Sequence, residues 1–173
     1  MLRLLLALFP PALLIVLVAQ FNHLLAPWHV YLSVGGLLVV FPALQIDFRT
    51  GFAAVFLAGL FADAGEPVRF GTHAFLFATA YAFLFVLRHR LPRDETPLAV
   101  MLALLANLGI FLALSLLLIR RLPTPAGAWV RLLADLLCSQ AFLALSAPWF
   151  FALQARAFAF SGFEIQHRSR RFM

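Results

Sequence analysis

The chain has 173 residues, 64% of them hydrophobic and only 12% charged, and its mean hydropathy is +0.99. A soluble domain carries about 45–50% apolar and about 25% charged residues, so this chain has too little polar surface to face water on all sides and belongs in a lipid bilayer. Its net charge of +6 comes from 13 arginines and no lysine. They sit in short loops and at the ends of apolar runs, where positive charge sets topology against anionic lipid, not in the stripe a nucleic acid would need. The single cysteine, Cys138, lies inside an apolar run and excludes an internal disulfide or a cysteine metal site.

A spanning helix needs about 20 apolar residues, and six candidates follow in order, giving an all-α membrane protein. The first, about 4–25, follows a weak positive flank at Arg3 and lacks a small-residue cleavage site, so it reads as an uncleaved helix. Pro10-Pro11 should kink it. Gln20, Asn22 and His23 close it, and Trp28 and Tyr31 read as interfacial aromatics. The second, about 30–46, is interrupted by Gly35-Gly36 and Pro42. The third, about 50–64, is only about 15 residues long and short for a bilayer.

The fourth runs over about 71–87, with Thr72 as its expected N-cap. Arg88-His89-Arg90-Leu91-Pro92-Arg93 stops it. The fifth, about 98–119, is the cleanest span, with Asn107 inside. The sixth, about 129–153, carries Arg131, Asp135 and Gln140 in its first half and Pro148 late. Arg131 and Asp135, spaced i, i+4, are expected to pair along that helix. Residues 1–153 thus read as a six-helix transmembrane domain and 154–173 as a basic cytoplasmic tail. With both termini cytoplasmic, the inner segments hold Arg3, Arg49, Arg88, Arg90, Arg93, Arg156, Arg168, Arg170 and Arg171. The outer segments hold Arg69, Arg120, Arg121 and Arg131, nine against four, in keeping with positive charge inside.

The stretch from Gly51 to His73 carries the informative chemistry. At 100° per residue, Gly51, Ala54, Val55, Ala58, Gly59, Ala62 and Asp63 share one side of the third helix, while Phe56, Leu57 and Leu60 share the other. A small-residue face lets helices approach closely in lipid, either within the chain or against a partner's helix. Asp63 ends that face. A carboxylate at the edge of an apolar segment is costly unless satisfied. The expected solution is a tether: Gly65 stops the helix in a left-handed conformation, and Asp63 accepts hydrogen bonds from the free amides where Gly71-Thr72-His73 opens the fourth helix. Arg69 or His73 is the expected second partner, and open water the alternative.

No Ser–His–Asp set, phosphate loop or dinucleotide fingerprint is present in the sequence, and His23 and His73 lack companions at ligand spacing. The expectation is a protein that is not an enzyme and has no catalytic, cofactor or metal site. Gly59-x-x-x-Asp63, then Gly71 and Ala74, resembles the signature of the rod shape-determining protein MreD family. The chain length, six spans, the basic loop after the fourth helix and Pro148 in the last helix agree with that layout. In one departure, the family's Pro near the start of the second helix has its counterpart only at Pro42, near the other end. The resemblance implies a non-enzymatic component of the bacterial inner membrane that acts in cell elongation. It would be a partner of MreC and, through it, of MreB, RodA and PBP2. The resemblance also implies a fold similar to the substrate-binding subunits of energy-coupling-factor transporters. That fold suggests an alternative, a small-molecule-binding subunit of a vitamin-type uptake system.

Overall fold

The computed structural model describes residues 2–66, 68–90, 96–119 and 128–160. Among them the chain is all-helical. It forms α1 (Leu2–Leu25), α2 (Gly35–Gln45), α3 (Phe48–Gly65), α4 (Thr72–Leu87), α5 (Thr96–Ile119) and α6 (Ala128–Phe160), with 3-10 turns at Ala26–Trp28 and Arg88–Arg90. Among the described residues four helical stretches are long and apolar enough to cross a membrane: Leu4–Trp28, Phe48–Gly65, Thr96–Ile119 and Trp129–Ala159. This is the pattern of a multi-pass membrane protein. Large apolar side chains such as Phe9, Leu105, Leu145 and Trp149 point outward, as they do where lipid replaces water.

The centre of the bundle is α2. Every residue from Gly35 to Leu44 is buried, and α3, α4, α5 and α6 all pack on it. A helix apolar all round needs such a position. At 11 residues it is about 16 Å long, too short to cross the bilayer as a helix alone. The close approach of α5 depends on Gly36, where an added Cβ would run into the Ala103 carbonyl. The Gly36 amide also donates to Asn107 Oδ1 (3.3 Å).

The structure moves several boundaries expected from hydropathy. The second helix begins at Gly35, not near 30, because Tyr31–Val34 run outside the helix, bound by side chains of α1 and α6. The third begins at Phe48 and has 18 residues: Asp47 caps it, its side chain accepting from the Thr50 amide (3.0 Å). The sixth continues to Phe160, so the first part of the expected tail is helical. Its extension keeps Gln154 and Phe158 buried, and Phe41 of α2 packs against Phe151 and Phe158. The helix α1 runs without a break through Pro10 and Pro11. Residues 91–95 with Arg93, residues 120–127 with Arg120 and Arg121, and residues 161–173 lie outside the described residues.

Candidate functional site

The α3 face with small side chains is the face that the fold buries. Gly51, Ala54, Val55, Ala58, Gly59, Ala62 and Asp63 are buried, whereas Phe56 and Leu57 are exposed. Its neighbour is this chain's own α4. A Cβ at Gly59 would collide with the Ala74 backbone, and one at Gly51 with the Tyr81 ring. The face therefore packs within the chain, against α4. Close helix crossing is the use that small residues serve here.

At the end of that face, Asp63 is 4% exposed and its carboxylate gathers the start of α4. Oδ2 accepts from the Gly71 amide (2.9 Å) and the Ala74 amide (3.3 Å). Oδ1 accepts from the His73 amide (2.9 Å) and lies 2.9 Å from His73 Nδ1. Three amides of a helix start are thus satisfied by one side chain that lies eight to eleven residues earlier. Negative charge at a helix N-terminus is stabilising for the same reason.

The local devices differ from those expected. Gly65 is not left-handed, and the chain leaves α3 at Glu66 in an extended conformation (φ −121°, ψ 147°). The left-handed residue is Gly71 (φ +93°), which is also the N-cap of α4. Thr72 therefore does not cap: it is the first helical residue, and its hydroxyl donates back to the Arg69 carbonyl (2.6 Å). Arg69 itself is exposed, and His73 is the side chain that meets Asp63.

Two features that the sequence pattern does not disclose complete the site. First, Glu66 reaches Tyr31, whose hydroxyl donates to Glu66 Oε1, while Glu66 Oε2 lies 3.3 Å from His73 Nε2. A polar chain, Tyr31–Glu66–His73–Asp63, therefore joins the α1–α2 connection to the α3–α4 joint. Second, the non-helical strap Tyr31–Ser33 is held from both sides. Asn22 on α1 both donates to the Leu32 carbonyl (3.0 Å) and accepts from its amide (2.8 Å). On α6, Asp135 accepts from the Tyr31 amide (2.9 Å), and Ser139 Oγ accepts from the Ser33 amide (2.9 Å) and donates to the Tyr31 carbonyl (3.3 Å). Asp135 thus serves the strap, not the expected pair with Arg131, which is exposed. Non-helical backbone among membrane helices requires such substitutes for helical hydrogen bonds.

Between α1, the strap, α3 and α4 lies a cavity of about 170 Å³. Its polar wall includes Asn22, Tyr31, Glu66 and His73, and its apolar wall includes Ile15, Val18, Leu38 and Phe77. Among the described residues no group of three His, Cys, Asp or Glu side chains is placed to hold a metal ion.

At the other end of the bundle Arg88 Nη1 donates to the carbonyls of Ile46 (2.9 Å) and Ala43 (3.4 Å), and its guanidinium lies over the Phe85 ring. This cation closes the C-terminal end of α2, where unpaired carbonyls and negative partial charge collect. No protein-family model, curated protein or solved structure matches the chain.

Proposed function

We propose that this protein is a non-enzymatic component of the bacterial cell-elongation complex in the inner membrane, similar to the MreD family. In this reading it binds MreC and, through MreC, is linked to MreB, RodA and PBP2 during peptidoglycan synthesis. Six segments cross the membrane in this reading, α2 doing so together with the Tyr31–Val34 stretch that precedes it, and both termini are cytoplasmic. The single observation that supports the reading is the joint itself. The residues of the resemblance, Gly59, Asp63, Gly71 and Ala74, meet in one place: Gly59 lets Ala74 approach, and Asp63 binds the amides of Gly71 and Ala74. A spacing motif whose members converge in this way has a structural role, which is to shape the body a partner recognises.

The alternative, a vitamin-type uptake subunit similar to those of energy-coupling-factor transporters, has less support. Sites for drug-sized ligands occupy about 300–1,000 Å³, and the cavity here is about 170 Å³. The test is purification of the tagged chain from native membranes in mild detergent, with its partners identified by mass spectrometry. MreC is expected at near-equal amount. Recovery without MreC, or with a membrane-bound ATPase assembly in its place, overturns the elongation reading. Reporter fusions at both termini check the topology, and a terminus outside the cytoplasm refutes it.

A further inference from the structure

We propose that Asp63, His73 and Glu66 form a proton-held latch, and that loss of its proton frees Tyr31 and opens the cavity between α1, the strap, α3 and α4 to water. The latch stands on its own geometry and does not depend on MreC.

The proton follows from the hydrogen bonds. An ionised carboxylate only accepts, and His73 has a carboxylate at each ring nitrogen. Asp63 Oδ1 lies 2.9 Å from Nδ1, and Glu66 Oε2 lies 3.3 Å from Nε2. Only the imidazolium carries a hydrogen on both nitrogens, so the ring that fits this geometry is charged. A buried cation is costly unless it is paired, and here two carboxylates flank it.

The neighbours leave that proton in place. Tyr31, Glu66 and His73 are the titratable side chains on the cavity wall. From α1 the wall receives Asn22, whose amide is engaged with the Leu32 backbone, and from α2 it receives the uncharged Gly35 and Leu38. Asp135 of α6 accepts from the Tyr31 amide, and Arg69, between α3 and α4, is exposed. The Ser33 hydroxyl also lines the cavity, but no hydrogen bond joins it to His73 or Glu66. A hydroxyl both donates and accepts, so it suits either state of the ring.

Loss of the proton acts on one contact. The ring keeps its hydrogen on Nδ1, where Asp63 is the nearer carboxylate, and Nε2 gives its proton to water. Nε2 and Glu66 Oε2 are then two acceptors facing each other, which repel. Asp63 cannot yield, because three amides of α4 hold it. Glu66 can: it is the extended residue just past α3, and its side chain is 30% exposed. As it turns to water, Tyr31 loses its acceptor. The strap backbone stays fastened by Asn22, Asp135 and Ser139. The change is therefore confined to the side chains of Glu66 and Tyr31, both on the cavity wall.

The experiment is a magnetic-resonance titration of the full chain in lipid nanodiscs, from about pH 5.5 to about pH 9.5, a range wider than that over which histidine ordinarily changes charge. Ring-¹⁵N histidine reports the state of His73, and ¹³Cζ tyrosine with a water-soluble gadolinium chelate reports water access. The chain has two tyrosines, so Tyr81, buried and bound to backbone carbonyls, is the internal control. Losses in His73→Gln and Tyr31→Phe assign the signals. At the acid end His73 is expected as imidazolium with Tyr31 shielded. As the ring loses its proton, relaxation of Tyr31 by the chelate should rise severalfold with the same midpoint, while Tyr81 stays constant. In Glu66→Gln the side-chain amide donates to Nε2 of the neutral ring and its oxygen still accepts from Tyr31, so Tyr31 should stay shielded at every pH. A neutral His73 at the acid end overturns the proposal, as does a Tyr31 signal that stays shielded throughout or changes with a different midpoint. A Glu66→Gln chain that opens as the wild type does also overturns it.

Discussion

Removing the Asp63 carboxylate gives the most direct test of the joint. Asp63→Ala leaves three amide N–H groups and one imidazole N–H without their acceptor. A buried donor stripped of its partner costs about 1–3 kcal/mol. Hydrogen bonds measured between membrane helices average only about 0.6 kcal/mol. Four contacts, one of them long at 3.3 Å, then give a loss of about 2 kcal/mol on the membrane scale, rising to about 6 kcal/mol if water fails to enter. Against a total stability of about 5–15 kcal/mol this is a large fraction. Asp63→Asn keeps one acceptor oxygen and turns an NH₂ toward the remaining donors, so its loss should be about half as large. The assay is reversible unfolding of the purified chain in mixed micelles, followed by helical circular dichroism, with membrane abundance of a fluorescent fusion as a second readout. The expected order is wild type, then Asn, then Ala. An Ala variant within about 0.5 kcal/mol of wild type, the range of an ordinary surface change, refutes the tether.

Three further outcomes follow from other contacts. Gly59→Ala should cost about 1–3 kcal/mol by overpacking the α3–α4 crossing, and Gly59→Leu should fail to accumulate in membranes; normal melting of either refutes the close approach at Ala74. Asp135→Leu orphans the Tyr31 amide and should cost about 1–3 kcal/mol, whereas Arg131→Ala should stay within about 0.5 kcal/mol. Equal losses in a melting assay would instead support an Arg131–Asp135 pair. Arg88→Ala removes two hydrogen bonds at the end of α2 and the stacking on Phe85, for an expected loss of about 1–2 kcal/mol; hydrogen exchange should then rise first at Ala43–Ile46, and unchanged exchange there would count against the cap.

Sequence alone determined the class of protein and the orientation of α3. Composition leaves lipid as the only solvent this chain suits, and the 3.6-residue period sorts Gly51 through Asp63 onto one face because side-chain direction along a helix is a local property. The Asp47 cap came only with the structure: hydropathy placed the helix start at about residue 50, beyond the residue that caps it. Hydropathy could not reveal that α2 is short, because Tyr31–Val34 are as apolar as a helix and lack a local breaker before Gly35. What straightens that segment is Asn22 on one side and Asp135 and Ser139 on the other, the latter 104 and 106 residues away from the amides they bind. The meeting of Tyr31 with Glu66 has the same character. Periodicity and capping act within one or two helical turns, so they are written in neighbouring residues. Only the tertiary structure decides which distant side chain satisfies a buried amide or carboxylate, because that choice depends on which helices the packing brings together.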